Sequence, residues 1–387
     1  MTRFQIREGK KVFMDYSLKK ALKLTALLKA SILLLIYLGY HFLPFNTQNY
    51  QLNSMGSPPP VDFWATLRTW DAQHYLFLVD HGYAPEQMSN AFYPLFPFLI
   101  YVFRFLFLGN SLAAGLFLSH FFTFAAVYYL YRFSHKKYGE SSAYYSCLFI
   151  LVFPASFYLG LVYTESLFLA LATALFYYAG ENRLWPAVLC GILLPLTRPT
   201  GLLILAPVLG GLYFKEYYKG RIFKFTKWIL PAAFFAGYGL YLGTMKLLTG
   251  DFFVAAHSEK FFLTNYSTAH LFHPVDWFVN NFIKTDFSIT GLHSGILNRL
   301  LFVGYLGTLI SARKKLSPSL LLYALVLGLV QALSGDFASY MRYVVVLFPL
   351  FIFLAVKLKD KAEYYLLACL PLQALFALAH SLYYWVA

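Results

Sequence analysis

The chain contains few charged residues and few cysteines for its length. Of its 387 residues, 12% are charged and three are cysteines, Cys147, Cys190 and Cys369. All three lie in apolar runs, and none has a partner at the spacing of a zinc site or a disulfide framework. The mean hydropathy is +0.58, so apolar runs take the place of the polar surface that a soluble domain needs. This composition predicts an all-α polytopic membrane protein.

Several motifs of soluble enzymes are also missing. The sequence has no glycine-rich phosphate loop, no HExxH zinc motif and no GxSxG nucleophile motif. No segment between the apolar runs is large enough to form a cytoplasmic domain that binds a nucleotide sugar. We therefore expect no cofactor and no metal. An enzyme with this sequence needs a substrate that reaches it through the lipid.

Basic residues outnumber acidic ones, 31 to 17, and the net charge is +14. They form short clusters between apolar runs, for example Arg313–Lys315 and Lys357–Lys361, instead of one continuous patch. This is the positive-inside pattern of cytoplasmic loops, so we expect membrane lipids and not nucleic acid as partners. The basic segment Met1–Lys29 is accordingly placed in the cytoplasm, and the apolar run that follows it is expected to be retained as a first span.

The alternation of apolar runs and polar loops predicts one membrane domain over residues 1–387. It has about eleven crossings and two long external loops, residues 44–91 and 249–293, which carry short interfacial helices. The predicted crossings are Leu24–Leu43, Leu112–Phe133, Ala143–Gly160, Thr164–Ala179, Trp185–Leu196, Gly201–Phe214, Trp228–Leu248, Ile296–Ala312, Leu320–Leu333, Tyr343–Val356 and Tyr364–Trp385.

Three of the apolar runs are unusual. Trp185–Leu196 and Gly201–Phe214 are each short for a crossing, which is typical of a broken pair of helices. They meet near Arg198, so this arginine is predicted at the external apex of the pair. Phe92–Leu108 contains Pro94 and Pro97, and we interpret it as an interfacial or re-entrant helix.

A polar stretch in the first external loop, WDAQHYLFLVDHGY, is the first candidate for chemistry. Thr69 can cap a helix that begins at Trp70, which places Asp71 in the first turn, where the helix dipole favours a carboxylate. His74 and Tyr75 then lie one turn further along, beside Asp71. An ionised aspartate above an apolar bundle suits a general base. The alternative is that Asp71 and His74 are ordinary loop residues at a membrane surface.

Three further charged residues are predicted near the external face. Glu165 is flanked by long apolar runs and needs a partner or water, unless it is a solvated residue at a helix cap. Arg198 and Arg342 can bind phosphate oxygens with their guanidinium forks if they meet at one cavity. Either arginine can instead extend to lipid headgroups.

The order of motifs along the chain resembles a known enzyme family. WDAQHYLFLVDHGY and AFYPLFPFLI are followed by FPASFYLGLVYTESLFL, LTRPTG and MRYVVVLFPLF. This series resembles the PIG-V family of mannosyltransferases, which belongs to the GT-C superfamily of multispan glycosyltransferases. The first two motifs are the specific ones.

The resemblance implies a GT-C-like bundle that transfers a sugar, with mannose expected, from a polyprenyl-phosphate donor. The acceptor is a glycolipid or another molecule on the extracytoplasmic side, and the anomeric carbon is inverted. Asp71 matches the catalytic carboxylate of such enzymes, and His74 is its predicted neighbour at the catalytic site. The predicted substrate-binding residues are Trp70, Tyr75, Tyr163, Glu165, Arg198, Arg342 and Tyr343.

Two other classes of function remain open from the residues alone. A transporter or flippase of lipid-linked saccharides also accounts for intramembrane charge and broken helices, but it has no special need for a carboxylate in an external loop. A non-catalytic subunit of a membrane glycosylation complex is the third class. Co-purification with a separate catalytic chain, together with tolerance of Asp71→Ala, would favour that third class.

Overall fold

The computed structural model describes residues 15–56, 58–214, 226–262, 271–285, 295–334 and 337–386. These residues form helices and no β-strand, which confirms the predicted all-α class. Parts of Met1–Lys29, of the basic loop 215–227 and of the loop 249–293 lie outside the described residues.

The helices follow the apolar runs closely. The first nine are α1 Tyr16–Phe42, α2 Thr47–Asn53, α3 Asp71–His81, α4 Leu95–Phe103, α5 Ser111–Tyr138, α6 Glu140–Val152, α7 Glu165–Gly180, α8 Leu184–Leu193 and α9 Thr200–Leu203. The next are α10 Leu205–Tyr213, α11 Thr226–Thr249, α12 Val254–Ser258, α13 Pro274–Phe278, α14 Ile296–Ala312, α15 Pro318–Leu333, α16 Tyr340–Val344, α17 Phe348–Leu358 and α18 Ala362–Ser381.

Helices α5 and α7 pack against each other at the centre of the bundle, and α7 is almost completely buried. Helix α6 packs against α5 and α17, and α8 packs against α7 and α11. In the described part of the chain, four helices are long and apolar enough to cross a membrane, or five if one bent pair counts as a single span. These apolar helices indicate an integral membrane protein, while the count of about eleven crossings stays a prediction.

The predicted crossing Ala143–Gly160 is not one continuous helix. Helix α6 ends at Val152, and the chain bends by 86° into a 3-10 segment, Pro154–Gly160. Phe153 has φ −57° and ψ 139°, an extended conformation that the following proline favours because its ring clashes with a helical residue before it. After the bend, the 3-10 segment leads to the start of α7 at Glu165.

Polar side chains from three other helices donate hydrogen bonds to carbonyls at the bend and in the 3-10 segment that follows it. Gln373 Nε2 of α18 donates to Leu151 O at 2.8 Å and to Phe153 O at 3.1 Å. Lys29 Nζ of α1 donates to Ser156 O at 2.9 Å. Thr123 of α5 also donates to a carbonyl of the 3-10 segment. Because an unpaired carbonyl inside a bilayer is costly, these bonds fix the segment that leads to Glu165.

Two predicted crossings near the C-terminal end also have different limits. Tyr343–Val356 is divided, since α16 ends at Val344 and α17 begins at Phe348, the residue before Pro349. Helix α18 ends at Ser381, so Trp385 follows the helix instead of closing it. Both changes matter for the site, because they place Arg342 and Trp385 on short segments at one end of the bundle.

The predicted broken pair is present around residues 197–199. Helix α8 continues through a 3-10 turn at residues 194–196, and α9 begins at Thr200. A Cβ atom on Gly201 would lie 2.0 Å from Leu194 O, so this close approach of two backbone segments requires glycine. The turn fixes the position of Arg198.

Candidate functional site

Helix α3 begins at Asp71, so the carboxylate lies in the first turn as predicted. The preceding residue, Trp70, has φ 52° and ψ −121°, a backbone conformation that is uncommon for a residue with a bulky side chain. The prediction that Thr69 caps the helix is wrong, since Thr69 Oγ1 lies 2.9 Å from His380 Nε2 and no side chain caps α3. The Asp71 carboxylate itself occupies the end of the helix where the dipole favours negative charge.

Four charged side chains form a continuous series at this end of the bundle, which we call the ion-pair chain. Arg342 Nη1 donates to Asp71 Oδ2 at 2.5 Å, and Arg342 Nε lies 2.6 Å from Glu165 Oε1. Arg198 Nη2 donates to the same Glu165 oxygen at 2.8 Å. The order is therefore Asp71, Arg342, Glu165, Arg198, and two positive charges balance two negative ones.

The members of the ion-pair chain differ in solvent access. The side chain of Glu165 is 0% exposed, those of Arg198 and Arg342 are 8% and 9% exposed, and that of Asp71 is 26% exposed. Buried charges in an apolar bundle require such pairing. Of the two carboxylates in the ion-pair chain, Asp71 is thus the one that a substrate can reach.

Aromatic rings surround the two arginines. The Arg342 guanidinium lies 5.1 Å from the ring centre of Tyr163 and 5.5 Å from that of Tyr343. The Arg198 guanidinium lies 5.4 Å from the Tyr343 ring. The negative ring faces attract these cations, and the Tyr163 hydroxyl donates to Thr69 O at 3.1 Å. The rings therefore help to hold both arginine side chains in place.

A cavity of about 210 Å³ opens beside the ion-pair chain. Of the residues predicted from the sequence, it is lined by Asp71, Tyr75, Arg198, Arg342 and Tyr343. The predicted residues Trp70, Tyr163 and Glu165 do not line it. In the described part of the chain, the buried Arg198 Nη1 has no hydrogen-bond partner, which leaves one donor for an oxyanion.

His74 lies away from the cavity and does not contact the Asp71 carboxylate through its ring nitrogens. Its Nδ1 is 2.9 Å from Ser89 Oγ, and its ring stacks on Phe92 with 4.8 Å between the ring centres. Burial lowers the pKa of His74 from its ordinary value of 6.5 to about 4, although the nearby Asp71 charge raises it in part. The imidazole is therefore neutral at neutral pH.

This depressed pKa gives His74 a defined effect on stability. In the folded state His74 stays neutral down to about pH 4, whereas in the unfolded state it binds a proton below pH 6.5. The free energy of unfolding is therefore unaffected by His74 above pH 6.5 and decreases as the pH falls from 6.5 toward 4. The difference corresponds to roughly 3 kcal/mol. We expect the melting temperature of His74→Gln to fall less than that of the wild type between pH 7 and 4, as thermal unfolding measures.

His81→Gln is the matched control, because His81 is an exposed histidine at the end of the same helix. It is expected to follow the wild-type pH dependence. Equal slopes for His74→Gln and the wild type would contradict the neutral, buried state of His74.

Some residues of the cavity wall were not predicted from the sequence. Asp80, the second acid of the polar stretch, does not line the cavity and bonds Ser111 Oγ at 2.9 Å instead. The unpredicted wall residues come from distant segments, and their residue types alone carry no signal of function. They include Tyr93, Thr200, Phe262, Gln331 and Trp385.

Comparison with known families gives one match. The family described as Mannosyltransferase (PIG-V) matches residues 57–240, a region that contains Asp71, Glu165 and Arg198 but not Arg342. No curated protein sequence matches the chain significantly.

Comparison with solved structures gives the oligosaccharyltransferase of Archaeoglobus fulgidus. Its apo crystal structure matches with a TM-score of 0.54 at 11% identity, over 97% of this chain and 57% of that chain. The same enzyme tethered to an acceptor peptide containing the NVT sequon matches with a TM-score of 0.49 at 13% identity, over 97% and 56% of the two chains. The chain thus spans a little over half the length of these structures. The apo match shows that the chain shares the fold of this oligosaccharyltransferase, and residues 57–240 are similar to the PIG-V mannosyltransferase family.

Proposed function

We propose that this glycosyltransferase moves mannose from a polyprenyl-phosphate donor to a glycolipid or another extracytoplasmic acceptor. The observation that carries the proposal is that Asp71, Arg198 and Arg342 line one cavity. A carboxylate can accept a proton there, while two guanidinium groups can stabilise a phosphate. Placement of the site outside the cytoplasm rests on the positive-inside distribution of basic residues.

The proposed reaction is a single displacement. Asp71 takes the proton of an acceptor hydroxyl, and the hydroxyl oxygen attacks the anomeric carbon of the donor sugar. The bond between that carbon and the phosphate oxygen breaks, and its electron pair leaves with the polyprenyl phosphate. Attack from the face opposite the leaving group inverts the anomeric carbon. Arg198 and Arg342 bind the phosphate as its charge increases.

The arrangement of the ion-pair chain supports these roles. Arg342 Nη1 donates to Asp71 Oδ2 at 2.5 Å, and this bond fixes the position of the carboxylate that is proposed to act as the base. Arg198 lies at the far end of the series and has a free Nη1 in the described part of the chain. We therefore assign proton acceptance to Asp71 at one end of the ion-pair chain, and phosphate binding to Arg198 at the other end together with Arg342.

A transfer assay tests the proposal with the purified protein in liposomes. Polyprenyl-phosphate [³H]mannose is the donor and octyl glycosides are the acceptors, with GDP-[³H]mannose as the comparison donor. We expect labelled octyl disaccharide from the lipid donor and none from the nucleotide donor. If the labelled lipid instead crosses the membrane intact and no glycosidic bond forms, the protein is a transporter and the proposal is wrong.

A further inference from the structure

Trp385 contributes to the cavity wall from a segment that lies outside the family-matched residues 57–240. Its ring packs edge-on against Trp70, with 4.9 Å between the ring centres and an interplanar angle of 89°. Because Trp70 directly precedes Asp71, the two indoles lie at the Asp71 end of the ion-pair chain. Arg198 lies at the opposite end of the ion-pair chain.

The segment that carries Trp385 is held in a fixed position by the first external loop. Asn46 N donates to Leu382 O at 2.9 Å, and Asn49 Nδ2 donates to Tyr383 O at 3.1 Å. The Tyr383 ring packs against Trp70, with 5.3 Å between the ring centres. These contacts fix the backbone just before Trp385, and a residue on such a fixed segment loses less freedom when a ligand binds.

Both indoles have an unused hydrogen-bond donor. In the described part of the chain, Nε1 of Trp70 and Nε1 of Trp385 are buried without a partner. A buried donor without an acceptor costs free energy, and a hydroxyl oxygen of a bound molecule removes that cost. An indole also presents an apolar face. A sugar ring, which has hydroxyl groups and apolar C–H faces, matches both properties.

The position of the two indoles indicates whether they contact the donor or the acceptor. Phosphate is best bound by guanidinium groups, and the free Nη1 of Arg198 lies at the other end of the ion-pair chain. The hydroxyl that loses its proton must lie beside Asp71. A molecule in contact with Trp385 is therefore the one that bears this hydroxyl.

We propose that Trp385, supported by Trp70, is a specificity-determining residue that contacts the sugar of the acceptor next to Asp71. This inference rests on the proposed function for the role of Asp71. It assigns acceptor recognition to the segment after α18, at a position beyond the family-matched region.

Equilibrium binding tests the inference without any donor present. Three octyl glycosides, the α-D-mannoside, the β-D-glucoside and the 2-amino-2-deoxy-β-D-glucoside, are titrated into the protein in nanodiscs by calorimetry, with 1-octanol as the comparison. We expect at least one glycoside to bind more tightly than octanol. Trp385→Phe removes only the N–H and weakens that glycoside about threefold, whereas Trp385→Ala also removes the ring and weakens it about tenfold or more. Octanol binding is unchanged in both variants.

Trp185→Ala is the matched control, since Trp185 is 71% exposed on α8, and it is expected to bind as the wild type does. Melting temperatures show whether each variant is folded, and Trp385→Phe keeps the test informative if Trp385→Ala unfolds. The inference is overturned if no glycoside binds better than octanol, or if the folded Trp385 variants bind glycosides as tightly as the wild type. Failure of the proposed function appears separately, as absence of mannose transfer by the wild type.

Discussion

Replacing Asp71 with asparagine is expected to reduce the rate of mannose transfer by roughly a hundredfold to ten-thousandfold, the contribution typical of a general base. Asparagine has nearly the shape of aspartate but cannot take the proton of the acceptor hydroxyl. The donor phosphate is proposed to bind at the arginines, so the KM for the donor changes little while kcat falls. Initial rates at varied concentrations of polyprenyl-phosphate [³H]mannose separate these two effects.

Asp80→Asn provides a control within the same helix. Asp80 is half exposed and is bound by Ser111 and by Arg104, whose Nη1 lies 3.3 Å from the carboxylate. Surface pairs of this kind contribute little to stability, so Asp80→Asn is expected to transfer mannose at a rate close to that of the wild type. If Asp71→Asn and Asp80→Asn are equally active, Asp71 is not the base.

The positions of many helices could be predicted from the apolar runs of the sequence. The run Ile296–Ala312 is a helix with the predicted limits, because Gly295 precedes it and the basic residues Arg313–Lys315 follow it. The Asp71 helix was predicted from a cap at Thr69 that the structure does not contain, yet its observed start at Asp71 lies next to the predicted start at Trp70. Hydropathy did not predict the 86° bend after Val152, since Phe153 and Pro154 continue an apolar run while the backbone changes direction.

The pairing of charges depends on tertiary contacts that the sequence order does not contain. Glu165, Arg198 and Arg342 lie on three separate segments, and their residue types are equally consistent with headgroup contacts or helix caps. They come together through the bend before α7, the break before α9 and the division between α16 and α17. Trp385 is a similar case, because the predicted final helix included it, whereas α18 ends at Ser381.

Replacing Glu165 with glutamine is expected to destabilise the protein by about 3–5 kcal/mol, the cost of breaking a buried ion pair. Glu165 Oε1 accepts from Arg198 and lies 2.6 Å from Arg342 Nε. Without this carboxylate, two buried guanidinium groups repel each other and share one counter-charge, Asp71. A large fall in melting temperature, measured by thermal unfolding in detergent, is the expected result. Glu181→Gln is the control, because Glu181 pairs with an exposed lysine at the surface and such pairs contribute about 1 kcal/mol or less.

A second substitution separates charge balance from catalysis. In the double variant Glu165→Gln with Arg198→Gln, Arg342 keeps Asp71 as its partner and the remaining buried charges are again balanced. We therefore expect the double variant to melt at a higher temperature than Glu165→Gln alone, a coupling that a double-mutant cycle measures. Transfer activity is not expected to return, because Arg198 is proposed to bind the leaving phosphate. If the double variant is no more stable than Glu165→Gln, repulsion between the arginines does not account for the loss. Recovery of full activity would instead show that Arg198 serves only to balance the charge of Glu165.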